Sequence, residues 1–359
     1  MGDITVKRLE GLRHKLKQKG IDAALVAKKE NVTYMSGFNG GDSYLIITME
    51  EAFLITDSRY VQQAAVQAPM YKVTRYQGSV ADALGDMVKK AGAASVGFEE
   101  GYLTYQAYNE FKARLGAEKF LPMGGAIEEL RLVKDREEIE IIKRAVKIAD
   151  DAFSHILGLI KPGTAEIEIA AELEFHMKKN GAKGPSFETI VASGQRGSMP
   201  HGVASDKKVQ MGEAITMDYG AIYMDYCSDM TRTVFLGTPD DELRKIYEVV
   251  LKAQSQALNG AREGLTGKEV DSIARDIIKD AGFDRFFGHG LGHGVGLEIH
   301  EEPRLSVSGE RRLENGMVAT VEPGIYVEGL GGVRIEDMIV INGGSPLVLT
   351  ESPKELIII

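Results

Sequence analysis

Three of the seven histidines in this chain, His289, His293 and His300, fall in the single window Phe287–Glu301. Imidazole binds metals and carries protons near neutral pH. Glycine alternates with other residues through the window, from Gly288 to Gly296. At that density glycine disfavours a helix. His289 and His293 are therefore expected on extended or looping backbone, where missing side chains let other groups approach the rings.

Four carboxylates stand in apolar or β-branched runs. They are Asp218 within Ile215–Gly220, Asp229 within Tyr226–Leu236, Glu322 within Thr320–Tyr326 and Glu336 within Val333–Val340. Such surroundings suggest strands beside a core, and a buried carboxylate is costly unless it is paired or bound to a metal. Taken singly, each reads as an ordinary strand-end or surface carboxylate. Four of them together with a histidine cluster carry more weight. Four carboxylates and one imidazole form a donor set for two divalent cations, suited to manganese, cobalt, zinc or iron. A structural zinc would favour cysteine. Paired cations can activate a shared water. There is no Gly-x-Ser-x-Gly elbow, and Cys227, the only cysteine, lies in a strand-like run without a nucleophile signature. Covalent catalysis is correspondingly weakly supported.

The elements that must position these groups follow from periodicity. Val6, Leu9, Leu12 and Leu16 mark an amphipathic helix over 4–19. Apolar runs at 23–26, 44–47, 52–55 and 95–98 read as buried strands, and helices are expected near 58–67, 80–91 and 103–115. This alternation describes an α/β N-terminal domain, residues 1–128, without a Gly-x-Gly-x-x-Gly nucleotide signature. The charge run beginning at Arg131 reads as the solvated face of a long helix to about 159, buried through Ile139, Ile142, Val146 and Ala149. It opens a second domain, 129–359. A helix over 166–179 follows, then strands at 187–192, 214–220 and 221–236. Two more helices, 240–262 and 267–281, precede the glycine–histidine window, and strands at 316–326 and 332–341 close the chain. The second domain thus runs helix, helix, strands, twice over. Such a duplication would set strands bearing Asp against strands bearing Glu.

Composition limits the partners. The chain is 359 residues long, 43% hydrophobic, with net charge −10. That size allows one large or two ordinary domains, and the charge opposes nucleic acid or an anionic membrane as the main partner. One cysteine excludes an intrachain disulfide and fits a reducing compartment. The N-terminal stretch lacks a signal-length apolar core, and no apolar run is long enough to span a bilayer. A cytoplasmic protein is expected.

Five segments together resemble the metal-dependent peptidases of the methionine aminopeptidase, aminopeptidase P and prolidase superfamily, with the pita-bread fold. They are Pro200–Gly202, Met217–Gly220 with Ser228–Thr233, His289–Glu301, Val321–Tyr326 and Val333–Asp337. The first half, including Asp57-Ser58-Arg59-Tyr60, is similar to the creatinase-like N-terminal domain. That domain points toward the Xaa-Pro peptidases rather than methionine aminopeptidases.

The resemblance implies an α/β N-terminal domain plus an α+β pita-bread catalytic domain. It implies Asp218, Asp229, His293, Glu322 and Glu336 as ligands of two divalent ions, manganese foremost, with Asp229 and Glu336 bridging. Glu322 would also be the general base. His201, His289 and His300 would face the substrate, holding the scissile carbonyl and supporting the oxyanion or the leaving nitrogen. Arg334 would orient a carboxylate, either a ligand's or the substrate's, and Tyr326 would be a pocket wall or hydrogen-bond donor. The implied enzyme is an Xaa-Pro dipeptidase acting on a peptide with proline in second place, as a homodimer. Three alternatives stay open: an aminopeptidase P acting on longer peptides, a proline-independent exopeptidase, and a non-peptidase member of the fold, creatinase-like or a binding module.

Overall fold

The computed structural model describes residues Gly2–Ile359; Met1, part of the expected N-terminal domain, lies outside the described residues. The chain divides into two compact units, Met1–Arg131 and Leu132–Ile359.

In the first unit the order is α1 (Gly2–Lys19), β1 (Ala23–Val26), α2 (Lys29–Ser36), β2 (Ser43–Thr48), β3 (Ala52–Thr56), α3 (Val61–Gln67), β4 (Lys72–Arg75), α4 (Val80–Ala91), β5 (Ser95–Phe98), α5 (Tyr105–Arg114), β6 (Lys119–Pro122) and α6 (Glu128–Arg131). The strands form one mixed sheet, β4-β3-β2-β1-β5-β6. Of its inner strands, β1, β3 and β5 are buried along their whole length, which is why they read as continuous apolar runs. Ser79 and Thr104 cap α4 and α5 through their hydroxyls, and Gly92 closes α4 in the left-handed region. Sequence periodicity misses α2, β4, β6 and α6. The two missed strands alternate only weakly and stay partly exposed at the sheet edges.

The second unit begins with α7 (Arg136–Ile156) and α8 (Glu166–Lys179). It continues through β7 (Gly184–Pro185), β8 (Ile190–Ser193), β9 (Ala214–Tyr219), β10 (Ala221–Tyr223), β11 (Tyr226–Cys227) and β12 (Met230–Phe235). Next come α9 (Asp241–Gly260), α10 (Gly267–Asp280), β13 (Gly292–Gly294), β14 (Glu301–Leu305), β15 (Val318–Val321), β16 (Gly324–Val327), β17 (Gly331–Arg334), β18 (Asp337–Val340) and β19 (Leu347–Val348). The helix–helix–strand order therefore occurs twice. The first helix starts at Arg136, later than its charge run suggests, because Asp135 and Glu138 form a capping box there. Thr266 and Glu269 do the same for α10.

The first half's strands pair as β12-β9-β8, and the second half's as β14-β13-β15-β18-β19 with a β16-β17 hairpin. One core, with Ile169, Leu173, Val191, Met217 and Val234, fills the space between the first helices and their sheet. A second, with Ile246, Val250, Ala274, Leu291, Ala319 and Ile339, serves the second half.

Three expected strands are broken. Residues 221–236 fold into β10, β11 and β12, because Met224 and Asp225 turn the chain at φ 46 and 68. Those are the paired left-handed angles of a tight hairpin. The 316–326 stretch breaks between β15 and β16, where Pro323 has no N–H to extend a ladder. The 332–341 stretch breaks between β17 and β18, where the Glu336 N–H leaves its own sheet and donates to Thr231 O in the other half at 3.1 Å. No described helix is long and apolar enough to cross a membrane.

Candidate active site

The breaks at Glu322 and Glu336 converge with the glycine window on one cavity of about 950 Å³ in the second unit. Asp218, Asp229, His293, Glu322, Glu336, His201, His289, His300 and Arg334 all line it. Asp218 is held within β9, opposite Thr231 of β12. Asp229 directly precedes β12, while Glu322 and Glu336 occupy the breaks after β15 and β17. A carboxylate at a break can turn away from the ladder and toward the cavity; inside a continuous strand its direction is fixed by the pleat.

Glycine makes the approach of His293 feasible. A Cβ at Gly292 would lie 2.1 Å from Thr320 O, and one at Gly294 would lie 2.1 Å from Glu302 O. The His293 N–H donates to Thr320 Oγ1 at 3.1 Å, and the same hydroxyl donates to Glu322 Oε1 at 3.0 Å. The ring Nε2 sits 3.2 Å from Glu322 Oε1 and 3.6 Å from Asp229 Oδ2. Potential ligand atoms of Asp229, His293 and Glu336 all lie within 4.8 Å of one another.

The acidic groups are short of donors. Asp218 Oδ1 and Glu336 Oε1 are buried without a hydrogen-bond partner. Burial, then repulsion from the neighbouring carboxylates, holds Asp229 and Glu336 well above the usual carboxyl range. Burial likewise raises Asp218, against the opposing pull of Arg334. Glu322 goes the other way. Burial works to raise it, but the hydrogen bond and charge of His293, with His289 and Arg334, bring it down to about 2. Burial also opposes charge on His293, yet the bond to Glu322 lifts that ring above its ordinary value. Orphaned acceptors among crowded buried carboxylates suit divalent cations, which supply the missing positive charge.

Arg334 is committed to this array. Its guanidinium donates to Asp218 Oδ2 at 2.5 Å, Thr231 Oγ1 at 3.0 Å, Tyr326 Oη at 2.9 Å and Pro200 O at 3.2 Å. The Thr231 hydroxyl in turn donates to Glu336 Oε2 at 2.7 Å. Of the two roles expected for Arg334, orienting a ligand carboxylate is the one that its bonds support. His289 Nδ1 faces Gly290 O, which can only accept, at 2.7 Å, so the proton of the neutral ring sits on Nδ1. Nε2 then accepts from the Tyr326 hydroxyl 2.9 Å away, while Tyr326 Oη accepts from Arg334. Both His289 nitrogens are thus engaged, and burial keeps the ring below its usual pKa.

Behind the array lies Arg232, among the largest fully buried side chains. It donates to Asp337 Oδ1 at 2.7 Å and to the carbonyls of Glu336, Thr231, Ser352 and Pro353. Thr231, Thr320 and Arg232 were not singled out from sequence. Thr231 and Thr320 each stand two residues from a carboxylate, the spacing that puts side chains on one face of a strand. The exposed arginines Arg285 and Arg304, also on the cavity wall, carry no comparable signal.

Residues 140–343 match the model of metallopeptidase family M24. The chain belongs to that family. Residues 8–133 of this M24 member match the creatinase/prolidase N-terminal domain. The chain is 42% identical to the Xaa-Pro dipeptidase of Pyrococcus furiosus, over 98% of this chain and 99% of that protein. The solved Xaa-Pro dipeptidase from Bacillus anthracis matches with TM-score 0.97 and 47% identity, covering 99% of this chain and 100% of that one. The X-Pro aminopeptidase structure from Thermotoga maritima matches with TM-score 0.91 and 40% identity, covering 96% and 100%. The M24 chain is thus a metallopeptidase with the α/β-plus-pita-bread architecture that its motifs resemble.

Proposed function

We propose that this metallopeptidase is an Xaa-Pro dipeptidase, hydrolysing the bond between an N-terminal residue and a C-terminal proline. The carrying observation is the cavity itself, in which the full expected donor set surrounds two orphaned buried carboxylate oxygens. Full-length likeness to proteins named Xaa-Pro dipeptidase supports the substrate class.

In this reading Asp218, Asp229, His293, Glu322 and Glu336 hold two divalent cations, with manganese first among manganese, cobalt, zinc and iron. When bound, such ions polarise a carbonyl and lower the pKa of water. The residues of the chain do the rest. Arg334 and Thr231 fix Asp218 and Glu336 so that their free oxygens face the cations. His293 must be neutral to act as a ligand, which leaves its Nε2 lone pair for a cation. Glu322 takes the proton from the attacking water and later delivers it toward the proline nitrogen. His201 and His300, whose rings make no hydrogen bond among the described residues, hold the scissile carbonyl. His289 orders Tyr326 beside them. Since Arg334 is committed to Asp218, the dipeptide's carboxylate is read by the exposed wall arginines, Arg304 or Arg285.

A cytoplasmic homodimer completes the reading. The decisive experiment compares Ala-Pro with Ala-Pro-Ala after manganese loading, beside a chelated control. Cleavage confined to Ala-Pro is expected. Preference for the tripeptide would make the protein an aminopeptidase P, and absence of metal-dependent cleavage of both would sink the Xaa-Pro reading.

A further inference from the structure

His201 reaches the cavity from the long segment between β8 and β9. Its ring makes no hydrogen bond among the described residues, so its place is set by the backbone that carries it. That backbone is fastened at both ends to one carboxylate. Glu166, at the start of α8 and wholly buried, accepts from Ser193 N and Ser193 Oγ through Oε1, each at 2.8 Å. Through Oε2 it accepts from Ser205 Oγ at 2.7 Å and Ser205 N at 3.3 Å. Arg196 lies between these anchors. It donates to Glu166 Oε2 and, at 2.8 Å, to Val203 O, two residues beyond His201. The turn beneath is compact: a Cβ at Gly197 would meet Gly332 N at 3.0 Å, and one at Gly202 would meet the Ala192 side chain at 2.8 Å. Pro200 O is taken by Arg334.

We propose that Glu166 and Arg196 are positioning residues that set the reach of His201 into the substrate cavity. The proposal rests on the peptidase reading given above, in which His201 holds substrate. A buried carboxylate with five donors is a high-stakes centre: removing one charged partner leaves the other uncompensated. Here the displaced element is the loop that carries His201, whose ring makes no hydrogen bond of its own among the described residues and whose backbone is otherwise held beside it by the Arg334 bond to Pro200 O. Misplacing such a group by about 1 Å can cost up to about a hundredfold in rate.

The test is a double-mutant cycle on the manganese-loaded protein with Ala-Pro, joined to hydrogen exchange of residues 194–205. Arg196→Met is expected to lower kcat/KM about tenfold, but by no more than about twofold in a His201→Ala background, since the two changes remove the same contact. Arg196→Lys should recover part of the loss. Exchange in the loop should quicken in Arg196→Met and in Glu166→Gln while the thermal midpoint of the remainder stays cooperative. Additive losses, or a loop whose exchange does not change in either variant, would overturn the proposal. Failure of the wild type to cleave Ala-Pro would count against the peptidase reading instead. The exchange comparison needs no substrate and still judges the clamp.

Discussion

A ligand atom of Asp229 lies within 4.8 Å of those of Glu336 and His293, and a change there has a direct readout. Asp229→Asn keeps the shape but removes one charge and offers an amide in place of an anionic oxygen. We expect it to abolish tight binding of at least one cation, measured as metal content after dialysis, and to lower kcat by at least about a hundredfold. Unchanged metal content with unchanged rate would show that the donor set is assigned wrongly. Arg334 illustrates the same scale from the other side. Its bonds to Asp218, Thr231, Tyr326 and Pro200 make it the hinge of the polar array. Its charge is spent on the site's own carboxylate.

Among the elements, the short strand β13 is the most constrained. It carries His293 while β14 and β15 pass on either side, and their backbones come within reach of any Cβ at Gly292 or Gly294. Gly292→Ala places a methyl against the Thr320 carbonyl, where backbone has to move. Overpacking of this kind costs about 1–3 kcal/mol. The loss should appear as a lowered thermal midpoint together with weakened metal retention, because Thr320 links the His293 amide to Glu322. A variant as stable and as metal-replete as the wild type would refute this account of the glycines. The strand breaks follow a related logic. Pro323 ends β15 and frees Glu322, and the Glu336 amide abandons its own sheet for Thr231 O.

At the level of the whole molecule, the site's electrostatics tie folding to cation binding. Without metal, the folded state holds the Asp229 and Glu336 carboxyls well above their usual range, through burial and mutual repulsion. The folded protein therefore binds protons more tightly than the unfolded chain. By linkage, this contribution to stability is present below the ordinary carboxyl pKa of about 4 and is lost as pH rises through the elevated values. Glu322, lowered to about 2, has the opposite sign, and its contribution is lost only as pH falls through that value. Cations held by these carboxylates would remove the first penalty by replacing the protons. The rise in thermal midpoint on manganese loading should accordingly be larger at pH 8 than at pH 5.5. An equal or smaller rise at pH 8 would contradict the assignment of these carboxylates as ligands.

Legible without the structure were the α/β and α+β composition, the repeated helix–helix–strand order and the carboxylates and histidines that stand in apolar or glycine-rich runs. Those features rest on local periodicity and on charges in apolar runs that folding cannot hide cheaply. The break at Pro323 is missed when 316–326 is read as one strand by hydrophobicity, although proline cannot extend a ladder. The Met224-Asp225 hairpin was not legible, because methionine carries no preference for the left-handed backbone it adopts there. Which atoms meet depends on long-range packing. Asp218 and Arg334, and Thr231 and Glu336, lie more than a hundred positions apart, and their pairing comes from β9 and β12 of the first half lying beside β17 and β18 of the second. The engagement of both His289 nitrogens and the fastening of the His201 loop to Glu166 likewise depend on long-range distances. A hydrogen bond's partner is fixed by position in space, whereas the sequence fixes only what each side chain is able to donate or accept.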